Sequence, residues 1–161
     1  MSNDLQVKIN NALDTIYDVL NETAIEIKQE LKKKLEEEFG KNTFSITISR
    51  GHIKNFRNYV WVNIEDMENE KLYAIDLFYN DINTKSSNFR TQFGRFQFWK
   101  DIIIENKEIP SPHDCMVNGK NVILNFLDEK SYDPKQAIYD GTYNLDKLVN
   151  EFITFYKSCN V

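Results

Sequence analysis

The stretch YVWVNIEDMENEKLYAIDLFY, residues 59–79, decides the fold class. Residues 59–64 and 72–79 are rich in β-branched and aromatic side chains, and the polar, acidic link 65–71 separates them. Such side chains suit a pleated, half-buried surface, and the link is short enough to reverse the chain, so the pair reads as a β-hairpin. Upstream, Phe44, Ile46 and Ile48 alternate with polar residues, which is the period of another half-buried strand. Downstream, residues 89–99 read as a strand pair or bent strand with Gly94 at a bulge or turn. Residues 109–113 read as a loop from their prolines, and residues 122–127 as a short strand or helix.

Helices flank this strand-rich centre. Leu5, Ile9, Ala12, Leu13, Ile16, Val19 and Leu20 recur at three- and four-residue spacing, as do Ala24, Ile27, Leu31 and Leu35. One helix over that span would be roughly 55 Å long, beyond the width of a compact domain of this size. A break near Asn21 is therefore expected, with Thr23 and Glu26 as a capping box and Gly40 as the stop. Asn144 opens a C-terminal amphipathic helix over residues 144–158, with Leu145, Leu148, Val149, Phe152, Ile153 and Tyr156 on one face. The fold class is thus α+β: N-terminal helices (1–40) and a C-terminal helix packed on a mainly antiparallel, curved sheet (43–130 mostly strands). With no repeat or linker, residues 1–161 read as a single domain.

Composition excludes several classes. The chain has 25 acidic against 20 basic residues, a formal charge of −5, which disfavours generic nucleic-acid binding. Distribution matters more than the sum. Basic groups gather at Arg50, His52, Lys54 and Arg57, and again at Lys85, Arg90, Arg95 and Lys100. No run approaches a membrane span, and the first residues lack the order of a signal peptide, so a cytoplasmic location is expected with no membrane partner. Cys115 and Cys159 are too few for a disulfide framework and lack metal-ligand spacing.

Catalytic motifs are missing as well. Gly40-Lys41 and Gly119-Lys120 are each followed by Asn and lack the upstream glycine of a phosphate-binding loop. His113, Asp114 and Cys115 are consecutive, an arrangement that seldom aims side chains at one another. His52 and His113 have no spacing that links them as ligands, and Glu65, Asp66 and Asp76 do not form a nuclease carboxylate motif. The expectation is no catalytic residue, no metal and no cofactor. What remains is a basic segment directly before a Trp-bearing strand. Rings beside positive charge can stack a base while neutralising its phosphates, although Trp61 and Tyr73 as plain core rings is the commoner outcome for this pattern.

Those residues resemble the N-terminal DNA-recognition domain of McrB-type, modification-dependent restriction systems. The resemblance rests on Ser49-Arg50-Gly51, Asn55-Phe56, the strand Trp61 to Ile64, and the strand Leu72 to Tyr79 followed by Asp81. It is strongest over 49–81 and weak over 82–130. Val60 stands where that family usually has Pro, and Ile53 where it has a pocket-edge ring. The resemblance implies a non-catalytic specificity module that flips a modified base, 5-methylcytosine above all, out of double-stranded DNA into an aromatic pocket. Its pocket residues would be Trp61, Tyr73, Leu77 and Ile53, and its DNA-backbone contacts Arg50, His52, Lys54, Asn55 and Arg57. GTPase or nuclease subunits of a restriction complex would be its partners. The rival expectation is an acidic protein-interaction module, an immunity or anti-defence protein that mimics DNA, which the charge of −5 favours.

Overall fold

The structure, a computed structural model, describes residues 2–50, 60–77, 94–100, 114–117, 120–123 and 131–160. In chain order its elements are α1 (Ser2–Phe39), β1 (Phe44–Arg50), β2 (Val60–Asp66), β3 (Lys71–Asp76), β4 (Gln97–Trp99), β5 (Asp114–Val117), β6 (Lys120–Ile123), β7 (Ser131–Tyr132) and α2 (Leu145–Cys159). Five strands make one antiparallel sheet in the order β1-β2-β3-β4-β7. β5 and β6 form a separate hairpin, and β5 lies against β1. This is the expected α+β arrangement, helices at both ends of the chain on an antiparallel sheet.

The β2–β3 hairpin closes where the sequence placed it, with Asp66 opposite Lys71 and residues 67–70 as the turn. Asp66 organises that turn: its carboxylate accepts from the Asn69 backbone N–H at 3.2 Å and from Asn69 Nδ2 at 2.8 Å. Short acidic side chains stabilise turns by bonding the backbone just ahead of them. Glu70 takes the left-handed conformation, φ 53°, that lets the chain re-enter β3.

Both helices lie on one face of the sheet. Leu20, Ala24, Ile27, Leu31 and Leu35 of α1 meet Val60, Val62, Ile64, Tyr73, Ile75 and Phe98 from the strands, and Leu148, Val149 and Phe152 from α2. Each fully buried Leu, Ile or Val contributes about 1.5–3 kcal/mol by leaving water, so this seam holds the helices down. Asn144 caps α2 as its sequence suggests, with its side-chain oxygen accepting from Lys147 N at 2.9 Å.

One expectation is corrected. α1 is not broken near Asn21 but runs unbroken for 38 residues. Thr23 does not cap a second helix: its hydroxyl donates to the Val19 carbonyl at 2.7 Å, a bond to the preceding turn that is compatible with a continuous helix. The length objection fails because α1 packs on the body only from about Ile16 onward. Leu5, Val7 and Ile9 are 64%, 54% and 61% exposed, whereas Leu20, Ala24, Ile27, Leu31 and Leu35 are at most 2% exposed.

Gly94 is a turn, with φ +65° and Ile138 crowding the place of a Cβ at 2.9 Å. The strand expected over 89–99 is represented by β4 and by the bridge Arg95↔Ala137. Of the segment 122–127, residues 122 and 123 belong to a strand. The loop expected at 109–113 lies outside the described residues.

Candidate nucleic-acid interface

Strand parity sorts the candidate residues. Alternate side chains of a strand point to opposite faces, and the register is explicit. Ile64 pairs with Tyr73, and Val62 with Ile75, on the helix-covered face. Trp61 pairs with Ser49 on one side and Asp76 on the other, and Asp76 pairs in turn with Gln97. The row Ser49–Trp61–Asp76–Gln97 therefore lies on the face away from the helices. One step along the strands, Thr47, Asn63, Ala74 and Trp99 make a parallel row on that same face.

The two faces differ in chemistry. The helix side is apolar except at its rim. The other face carries both tryptophans of the chain together with Ser49, Asn63 and Asp76, and all five are at most 5% exposed. Burying polar side chains costs free energy unless hydrogen bonds replace water. Asn63 Nδ2 meets part of that need by donating to Ser49 Oγ at 2.6 Å. From strand spacing, the Cα atoms of Trp61 and Trp99 are about 12 Å apart diagonally across β3. Ala74 and Asp76, both on β3, form the floor between them. The register thus sets two buried indoles on one sheet face, with Ala74 and the buried Asp76 carboxylate on the strand between them.

The expected pocket is only partly assembled. Trp61 is 1% exposed on the polar face. Tyr73 and Leu77 lie on the opposite face, in the core beneath the helices, so Trp61 and Tyr73 do not sandwich one ligand between them. Tyr73 meets Phe152 and Tyr156 edge-on at ring distances of 6.3 and 5.2 Å, and its hydroxyl accepts from Asn160 Nδ2 at 3.0 Å. Leu77 continues the hairpin, its N–H donating to the Val60 carbonyl at 3.1 Å. Ile53, His52, Lys54, Asn55 and Arg57 lie outside the described residues. The described residues that flank them are paired: Arg50, the last residue of β1, lies opposite Val60, the first of β2, one residue from the Ser49–Trp61 pair.

Asn63, Asp76 and Trp99 are the residues sequence reasoning missed. The signal was present in the hairpin: a four-residue turn over 67–70 puts Asp76 opposite Trp61, and period two then puts Asn63 on the Trp61 side.

A second polar cluster sits at the far end of the sheet. Tyr156 of α2 donates its phenol proton to Asp66 Oδ2 at 2.7 Å in a buried contact. Burial raises the Asp66 carboxyl, but the Asn69 and Tyr156 hydrogen bonds outweigh it and hold the group below its ordinary value. Burial, then the bond to Asp66, pushes the Tyr156 phenol well above the usual range. Phe39, Phe44 and Tyr73 surround Tyr156 edge-on, so this cluster locks α2 to the hairpin turn.

Among the described residues no group of three His, Cys, Asp or Glu is placed to hold a metal ion. No described helix is long and apolar enough to cross a membrane. Comparison with protein-family models, with curated proteins and with solved structures gave no match.

Proposed function

We propose that this chain is a non-catalytic DNA-specificity module of a modification-dependent restriction system, reading a flipped 5-methylcytosine. The observation that carries the reading is the juxtaposition at the β1–β2 end. Arg50, which His52, Lys54 and Arg57 follow in the sequence, pairs with Val60 at the end of a sheet face that buries Trp61, Trp99, Asn63 and Asp76. Cations over the phosphates and indoles for the base are the two components a flipping reader needs. A buried carboxylate adds the third, since Asp accepts from the exocyclic amine of cytosine. In this reading Trp99 takes the wall position that Tyr73 does not reach, and Asp76 reads the base edge.

Magnitudes assign the tasks. Flipping costs a few kcal/mol, and stacking returns about 1–3 kcal/mol per base. A buried methyl adds only about 0.8 kcal/mol, so the choice of cytosine rests on Asp76 and the methyl refines it. Trp61 and Trp99 are 1% and 2% exposed, so a base reaches them only after a local opening of the fold. Cleavage and nucleotide hydrolysis then fall to partner subunits of the complex.

Because the chain has two tryptophans and both lie on this face, intrinsic fluorescence reports the site directly. A duplex bearing one 5-methylcytosine should quench the emission, and Trp61→Phe should remove most of the change. Saturating DNA with no change in emission would overturn the base pocket. Full retention of binding in Lys54→Glu with Arg57→Glu would overturn the phosphate contacts. Absence of binding at low salt would favour the acidic interaction module, which the net charge of −5 supports.

A further inference from the structure

The first half of α1 carries an apolar seam that is exposed toward its N-terminal end and joins the body only from Ile16 onward. Leu5, Ile9, Ala12, Ile16 and Val19 follow one another at spacings of four, three, four and three, the heptad period with which helices pair. The seam runs about 21 Å along the helix, and Leu5, Ile9 and Val19 are 64%, 61% and 42% exposed. It leads straight into a hollow of about 190 Å³ where α1 meets the body, lined by Thr15, Ile16, Val19, Leu20, Gly94, Ile138 and Tyr139. Tyr139 at its rim is 53% exposed. One surface thus presents a projecting apolar ridge and, further along the same helix face, an apolar hollow.

We propose that this surface pairs two copies of this chain through antiparallel α1 helices. Leu5 and Ile9 of each copy seat on the Ile16–Val19–Ile138–Tyr139 hollow of the other. The pairing is isologous: ridge meets hollow twice around one two-fold axis, which falls close to Ala12, where a small side chain lets the helices approach. No charged residue lies within the seam, and Asp4, Lys8, Asp14 and Asp18 fall outside it. Two such ridges and hollows together remove on the order of 1,000 Å² from water, at the low end of specific interfaces, so the pairing is expected to depend on concentration. The inference stands apart from the DNA reading, since none of these residues belongs to the polar sheet face.

Sedimentation equilibrium of the full chain over a hundredfold concentration range tests it. The 19.1 kDa chain should shift to twice that mass as concentration rises. Leu5→Glu with Ile9→Glu should raise the dissociation constant at least tenfold while leaving the circular dichroism and melting curve of the body unchanged. In a background with both cysteines replaced by alanine, Leu5→Cys together with Val19→Cys should cross-link two chains on oxidation, whereas Leu5→Cys alone should not. A monomer throughout the range overturns the proposal. So does self-cross-linking of Leu5→Cys alone, the mark of a parallel pair, or association that survives the double glutamate variant, the mark of another surface.

Discussion

Tyr156→Phe isolates the buried bond between α2 and the hairpin turn. The substitution removes one hydroxyl and keeps the ring, so the edge contacts to Phe39, Phe44 and Tyr73, at 5.4, 5.2 and 5.2 Å, persist. What is lost is the 2.7 Å bond to Asp66, a residue with no exposed surface. Hydrogen bonds to charged groups are worth about 1.5–3 kcal/mol, roughly twice a neutral one. At about 2–4 °C per kcal/mol for a domain of this size, the melting temperature should fall by about 3–12 °C. The sign of the pH dependence follows from Asp66. Its folded pKa lies below the ordinary aspartate value of 3.8, so its contribution is present above that value and is lost as pH falls through the folded pKa. Urea unfolding at pH 7 should therefore show the full penalty, and unfolding in strong acid a smaller one. A penalty under about 0.5 kcal/mol at pH 7, below the range for even a neutral hydrogen bond, would refute the reasoning. An equal penalty at both pH values would do the same.

Three further outcomes follow from the same geometry. The Tyr143 hydroxyl is buried without a partner among the described residues, and burial, then Glu26, pushes its pKa up to about 12. Tyr143→Phe should leave urea stability unchanged or raise it by up to about 1 kcal/mol, because an unsatisfied group is removed while stacking on Phe96 remains. Gly94→Ala should cost about 2–4 kcal/mol in chemical denaturation, combining a left-handed backbone at φ +65° with a Cβ 2.9 Å from Ile138. Asn144→Ala should cost about 1 kcal/mol through loss of the α2 cap, and Asn144→Asp should restore most of it.

Period and turn chemistry made most of the fold legible. The strand of Phe44, Ile46 and Ile48, the hairpin around residues 67–70 and the Asn144 cap are local features whose signals lie within a few residues. The continuity of α1 was not legible, because Thr23 has the spacing of a cap yet bonds backward to Val19, and only tertiary packing decides between the two. The candidate site was half legible. Its basic segment and Trp61 stand out in the sequence, but two rings twelve residues apart on a hairpin meet only if register gives them the same parity. With Ile64 opposite Tyr73, it does not. Asp76 follows from the hairpin register, but Trp99 joins Trp61 only through the fourth strand of the sheet, a long-range pairing that single-sequence periodicity does not encode.

The most direct test of the DNA-recognition proposal is fluorescence-anisotropy binding of a short duplex with one 5-methylcytosine against its unmodified twin, at 50 and 200 mM salt. The account predicts tighter binding to the modified duplex. With Arg50, Lys54 and Arg57 on phosphates, it also predicts a loss of roughly 40-fold in affinity between the two salt concentrations, from a slope of about −0.9 per contact. Equal affinity for both duplexes, unaffected by Trp61→Ala or Asp76→Ala, would contradict it.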